Sequence, residues 1–301
     1  MTAGQTIGVD VGGTKILAGL VDRSGAIGPT REVPTPAQDP DAILAAIDTL
    51  VGEFLEQGGV AVGVGLPMNL DRKTGVALHA TNLALVNVDI GGRLRDRFRV
   101  PVGVENDANA AALAEWRIGA GRGAETLVVL TLGTGVGGGI VLDGRLYRGW
   151  AELGHVVVDA DGMPCQGTCH GRGHLEAVSS GLAADRAARE LYGPDADAHL
   201  LVQRAHAGEA DAIGAVERAG HFLGIAIGSL VNLFDPELFI VGGGFGAAAG
   251  DLLLGAAAKT AAREAIHPAD ERIRIVPAML GDDAGLVGAA FVGFEALDGE
   301  R

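Results

Sequence analysis

Four side chains in one short stretch have the types and spacing of a metal site. Between Glu152 and Glu176 the chain reads ELGHVVVDADGMPCQGTCHGRGHLE, and both of its cysteines, Cys165 and Cys169, lie there. His155, Cys165, Cys169 and His174 supply two imidazoles and two thiolates, a donor set suited to tetrahedral zinc. His170 is the rival for the fourth place. Gly162, Gly167, Gly171 and Gly173 let such a loop turn tightly. A closed set of four ligands leaves Glu152 and Glu176, which bracket the cluster, to face something else. An exposed loop with incidental His and Cys is the bland alternative. Cysteine this scarce rarely gathers in one loop by chance.

Two glycine turns carry the second chemical signal. Residues 6–22, TIGVDVGGTKILAGLVD, read as strand, turn and strand, with Gly12, Gly13 and Thr14 at the turn. Residues 127–142, LVVLTLGTGVGGGIVL, repeat the pattern around Gly133, Thr134 and Gly135. Successive backbone N–H groups in such turns form a concave anion site, and missing Cβ atoms let a phosphate approach. Two ordinary hairpin turns are the alternative. Gly133 to Gly138 forms a formal G-x-G-x-x-G, but a strand rather than a helix follows, so NAD is rejected. There is no Walker A sequence. Asp10 sits in an otherwise apolar strand, where an unpaired carboxylate is costly. Holding Mg²⁺ through water explains its presence, and a hydrogen-bonded structural role is the alternative. Lys15 reads equally as a phosphate partner or a solvated edge residue.

Glu105-Asn106-Asp107-Ala108-Asn109 falls where a strand ends and a helix begins. N-capping by Asn106 or Asp107 is the bland reading there; the functional one is Asp107 as a general base toward a substrate hydroxyl, kept ionised by the helix dipole. Asn106 can donate and accept, as hydroxyl recognition requires.

The elements that position these groups alternate strand and helix. Helical periodicity runs over 42–57 and 90–99, with strands at 60–66 and 102–104 and an Ala-rich helix from Asn106 or Asp107 to about Ile118. Later helices are expected at 181–192, 197–206, 210–233, 248–265 and 283–297, with strands at 238–241 and 273–277. The recurrence of the opening pattern at 127–142 suggests two α/β lobes of related design. With 301 residues the chain is long enough for both. A net charge of −15 and a pI near 4.9 argue against nucleic acid or an anionic membrane as partner. The opening residues lack the regions of a signal peptide, and the longest apolar run, Phe222 to Phe234, is too short to span a bilayer. Two cysteines in a metal loop leave none for disulfides, which fits a reducing cytosol.

DVGGTK, ENDANAAALAE, LTLGTGVGGGIVLDGRL, ELGH, the Cys-rich loop ending in LE, and PELFIVGGG occur in this order. Together they resemble the ROK family of bacterial sugar kinases and repressors, over essentially the whole chain. The resemblance implies the two-lobed actin-like ATPase fold, with sugar and nucleotide in an interlobe cleft. It places a small lobe at 1–108, with a C-terminal helix at about 284–301 packing back on it, and a large lobe at 109–283. It implies an ATP- and Mg²⁺-dependent hexose kinase, with D-glucose expected and fructose, mannose or N-acetylglucosamine as alternatives. Asp107 is implied as catalytic base. Asn82, Asn106, Glu152, His155 and Glu176 are implied as sugar contacts, and the zinc ligands map onto His155 and the Cys-rich loop. Phosphate binding maps onto Gly12, Gly13, Thr14, Gly133, Thr134, Gly135 and Gly243. A cytoplasmic homodimer is implied as well. A sugar-responsive repressor is the rival of a different class, but such proteins carry an N-terminal helix-turn-helix for which no room is expected here. The chain departs from the family's C-x-C-G-x-x-G-C-x-E loop, which is lengthened by two residues and has His174 for the last Cys. Met68 and Val86 also stand where the family usually has Gly and an aromatic residue. These two changes border the expected sugar pocket.

Overall fold

The computed structural model describes residues 4–71, 73–80 and 83–299. The chain opens with strands β1 (Thr6–Val11), β2 (Lys15–Val21) and β3 (Ile27–Pro34), then helix α1 (Pro40–Glu56). Strands β4 (Val62–Leu66), β5 (Met68–Leu70), β6 (Ala77–Ala80) and β7 (Val86–Val88) follow. Helix α2 (Ile90–Phe98), strand β8 (Val102–Asn106) and helix α3 (Asp107–Arg117) come next. After strands β9 (Leu127–Leu132), β10 (Val136–Leu142) and β11 (Arg145–Leu146) the chain turns helical. Helices α4 (Leu175–Val178), α5 (Gly181–Tyr192), α6 (Ala198–His206) and α7 (Ala210–Phe234) lead to β12 (Leu238–Gly242). Helix α8 (Gly244–Glu264), strand β13 (Ile275–Pro277) and helix α9 (Ala284–Asp298) close the chain.

These elements form two compact units. The first comprises residues up to Ile118, Arg148–Trp150 and the stretch from Asp282 onward; the second comprises Gly119–Tyr147 and Ala151–Gly281. The first unit therefore carries the whole of α3, because that helix packs along α9 and cannot be cut near residue 108. In the first unit the sheet order is β3-β2-β1-β4-β8, and in the second it is β11-β10-β9-β12-β13. Each is an antiparallel three-strand meander extended by two parallel strands. The repeat legible at 127–142 is thus a repeat of sheet topology. A further small sheet, β5-β6-β7, belongs to the first unit.

The first core is closed by α9. Gly8, Gly63 and Gly103 are register partners across β1, β4 and β8, so they form one row on the sheet. A Cβ on any of them would collide with a backbone carbonyl of α9: Leu286 against Gly8, Ala289 against Gly63 and Val292 against Gly103. The row is a groove without side chains, and α9, whose buried residues from Leu286 to Phe294 surround its axis, lies directly in it. In the second unit α7 and α8 pack together beside the sheet, and Val128, Leu130, Phe239 and Val241 are buried among their apolar residues. Helix α8 begins at Gly244 rather than near residue 248, and Gly250 breaks its helical dihedrals at φ 52° and ψ −134°.

Candidate active site

In the first unit, β8 delivers the acidic motif to the N-terminus of α3. Asn106 is the N-cap: its Oδ1 accepts from Ala108 N at 3.0 Å and Asn109 N at 3.1 Å. Asp107 is therefore the first helical residue, with its Oδ1 2.8 Å from the Ala108 N–H. Behind it, Glu105 is 1% exposed, and its Oε1 accepts from Asn106 N at 3.0 Å and Asn109 Nδ2 at 3.1 Å.

Asp10 stands on β1, paired with Leu17 on one side and Gly65 on the other. Its carboxylate lies against Gly285 in the first turn of α9, where any Cβ would displace it. Burial pushes its pKa up, and Lys15 only partly offsets that. A nearby divalent cation would favour the ionised form, so the residue fits a site for one. The turn after β1 is closed by the Gly12 N–H donating to Lys15 O at 2.8 Å. Thr35 braces it, donating from Oγ1 to Gly12 O at 2.8 Å and from N to Thr14 O at 2.9 Å. Gly13 and Thr14 are exposed. Lys15 is paired with Glu32 of β3 at 2.8 Å, with both side chains more than half exposed. Asn82, expected at the sugar, lies outside the described residues.

In the second unit, the turn after β9 is closed by the Gly133 N–H donating to Gly135 O at 3.0 Å. The start of α5 holds it from behind, with Gly181 N donating to Gly133 O at 2.7 Å. Beside the turn opens a cavity of about 430 Å³, lined by Gly133, Thr134, Leu182, His199, Val202 and Phe245 among others. Gly243 adjoins it at the N-cap of α8, at φ 80° and ψ 159°, and a Cβ there would strike the Leu132 backbone. Only glycine suits that position.

Glu152 caps and His155 ends one 3₁₀ turn, Leu153–His155, so the two residues are held at the two ends of a single short element. Backbone bridges Val157–His174 and Pro164–Arg172 then fold the following loop back on itself. They bring one ligand atom each from His155, Cys165, Cys169 and His174 within 4.8 Å of one another. Cys169 Sγ is 3.5 Å from His174 Nδ1. Zinc with two sulfur and two nitrogen ligands needs them about 3.3–3.8 Å apart, so a small contraction suffices and the set fits. His170 is exposed and stands outside the group. Burial, followed by a hydrogen bond to Glu176, pushes the Cys165 thiol up to about 12, which a bound cation would reverse. Glu176 adjoins the cluster, with Oε1 3.3 Å from Cys165 Sγ and 3.9 Å from His155 Nε2.

Glu105, Thr35 and Gln166 were not singled out from sequence. Glu105 lay inside the acidic motif but carried no sign of its burial, and the other two have no motif of their own.

The ROK family model matches residues 6–294. The chain belongs to the ROK family. It is 37% identical to a glucokinase of Streptomyces coelicolor, over 95% of this chain and 96% of that one. It is 34% identical to an N-acetylmannosamine kinase of Shigella boydii, over 95% and 97%. Among solved structures, a ROK glucokinase from Streptomyces griseus in complex with glucose and AMPPNP superposes with a TM-score of 0.83 at 36% identity, covering 97% of this chain and 100% of that one. The two units of this ROK chain are the two lobes of the actin-like ATPase fold.

Proposed function

We propose that this ROK protein is an ATP-dependent hexose kinase that transfers the γ-phosphoryl group to the 6-hydroxyl of D-glucose. The observation that carries the reading is the division of labour at α3. Asn106 takes the cap, which leaves Asp107 at the helix start as the carboxylate to accept the hydroxyl proton. The similarity to glucokinases over nearly the whole chain supports it.

Asn82, Asn106, Glu152, His155 and Glu176 are assigned to the sugar hydroxyls. The N–H groups of the turns at Gly12–Thr14 and Gly133–Gly135 are assigned to the phosphates, with Lys15 and Gly243 beside them. The cavity next to Thr134 takes the nucleoside, which favours ATP over a simple polyphosphate. Mg²⁺, approached by Asp10 through water, neutralises phosphate charge when bound. Zinc held by His155, Cys165, Cys169 and His174 is structural, because four protein ligands leave no open position. With one His155 ring nitrogen on the metal, the other is oriented toward the sugar. A homodimer in the cytoplasm completes the reading. Among the described residues no helix is long and apolar enough to cross a membrane.

N-acetylmannosamine joins the alternative sugars because kinases for it are also similar to this chain. A coupled ADP-release assay across glucose, fructose, mannose and the N-acetylated hexosamines, with ATP and polyphosphate as donors, tests the reading. ADP release that depends on glucose is expected. Release with no hexose in the panel would overturn it.

A further inference from the structure

The lengthened part of the metal loop reaches the phosphate turn. Gln166 lies between Cys165 and Cys169, in the segment that is longer here than in the family pattern. Its Nε2 donates to Thr134 O and to Ser180 Oγ, each at 3.4 Å. Ser180 caps α5 by accepting from Ala183 N at 3.2 Å, so Gln166 grips the turn and the start of that helix together. Its other amide atom, Oε1, is buried with no partner among the described residues. The amine end is what anchors the side chain. On the next residues, a Cβ on Gly135 would stand 2.7 Å from Glu176 Oε2, and Val136 N donates to that oxygen at 3.5 Å.

Peptide planarity turns these contacts into directions. In a trans peptide the C=O of one residue and the N–H of the next point oppositely. Gly181 holds Gly133 O from behind, so the Thr134 N–H faces the other way. Gln166 Nε2 and Leu182 N both donate to Thr134 O, each at 3.4 Å, so the Gly135 N–H faces the other way too. Both amides are thereby aimed to the side on which an anion can be received.

We propose that Gln166 is a positioning residue for the phosphoryl donor: from within the metal loop it adds a second hold, beside that of Leu182 N, on the Thr134–Gly135 peptide plane and so aims the Gly135 N–H at a donor phosphate. The inference rests on the kinase reading above. It assigns the extra loop residues of this chain a role at the donor, whereas the family pattern links the loop to the sugar.

Calorimetric binding of AMPPNP, adenosine and glucose to the wild-type protein, Gln166→Ala and Gln166→Glu tests it, with metal content measured on each. Glutamate keeps the shape of glutamine and removes the donor but adds a negative charge that itself repels phosphate, so the size of the positioning effect is read from Gln166→Ala. Loss of one positioning hydrogen bond weakens AMPPNP about three- to tenfold. Adenosine, which has no phosphate, and glucose should bind within about twofold of wild type. Metal content should not change. If both variants bind AMPPNP as wild type does, Gln166 does not position the donor. If adenosine or glucose weakens as much as AMPPNP, or metal is lost, Gln166 only holds the loop together and the proposal falls. A wild-type protein that binds neither AMPPNP nor glucose would overturn the kinase reading itself.

Discussion

Arg148 sets its Nε 3.7 Å from Oε2 of Glu105, the buried carboxylate next to Asn106 and Asp107. The same guanidinium bonds Glu295 of α9 through Nη2. Arg148 belongs to a three-residue piece, Arg148–Trp150, assigned to the first unit although the chain on both sides belongs to the second. One side chain thus ties that piece to the β8–α3 junction and to α9. Replacing it removes the charge facing a carboxylate that is almost wholly out of water.

Arg148→Ala is therefore expected to lower unfolding free energy by about 1–3 kcal/mol, the scale of depriving a buried polar group of a partner. The 35% exposure of the Arg148 side chain keeps the effect below that of a fully buried pair. Urea unfolding should show a lower midpoint with an unchanged slope, and Arg148→Lys should recover part of the loss. A midpoint equal to wild type would show that Glu105 does not depend on this partner.

Asp107→Asn should lower kcat at least about 10²-fold while glucose and ATP affinities stay near wild type, as loss of a general base requires. Because Asn106 supplies the cap, the helix should not melt. Circular dichroism of the variant checks this. Near-normal turnover would leave Asp107 without the role assigned to it.

The metal loop is expected to hold one zinc per chain. His174→Ala should lose it and raise the glucose KM strongly, since Glu176 and His155 are placed by the same loop. His170→Ala should keep it. Metal analysis of the two purified variants decides between the histidines, and loss from His170→Ala with retention in His174→Ala would reverse the assignment.

Asp10 provides a pH prediction. Its folded-state pKa is raised above the ordinary 3.8, chiefly by burial. The unfolded chain then ionises more readily than the folded one, and the ionised residue lowers stability at neutral pH. In protein free of nucleotide and divalent metal, Asp10→Asn should raise the melting temperature at pH 7. The gain should shrink as pH falls through the raised pKa and vanish below 3.8, where the wild-type group is neutral in both states. A gain independent of pH would mean that charge burial is not its source.

The two glycine turns were legible because each combines a flanking apolar strand pair with a run that only a tight turn accommodates. The cysteine loop was legible from residue scarcity. Strand β3 was not, because its sequence IGPTREVP is largely exposed and lacks an apolar alternation. Strands β5, β6 and β7 were missed because each has only three or four residues, too few for a period to register. The start of α8, GFGAAAG, offers small residues and no hydrophobic stripe. Gln166 and Arg148 escaped for another reason: their partners, Thr134 and Glu105, lie 32 and 43 residues away, and no local pattern encodes such a meeting.

The row formed by Gly8, Gly63 and Gly103 also bears on biosynthesis. Its covering helix leaves the ribosome more than two hundred residues after β1. During translation the bare groove and the apolar strands around it wait without their lid, while the second lobe, whose strands and helices all precede residue 282, is already complete. The lobe encoded first is thus finished last. A chain released before residue 284 would present a complete second lobe joined to an open, aggregation-prone first one, a natural target for a chaperone.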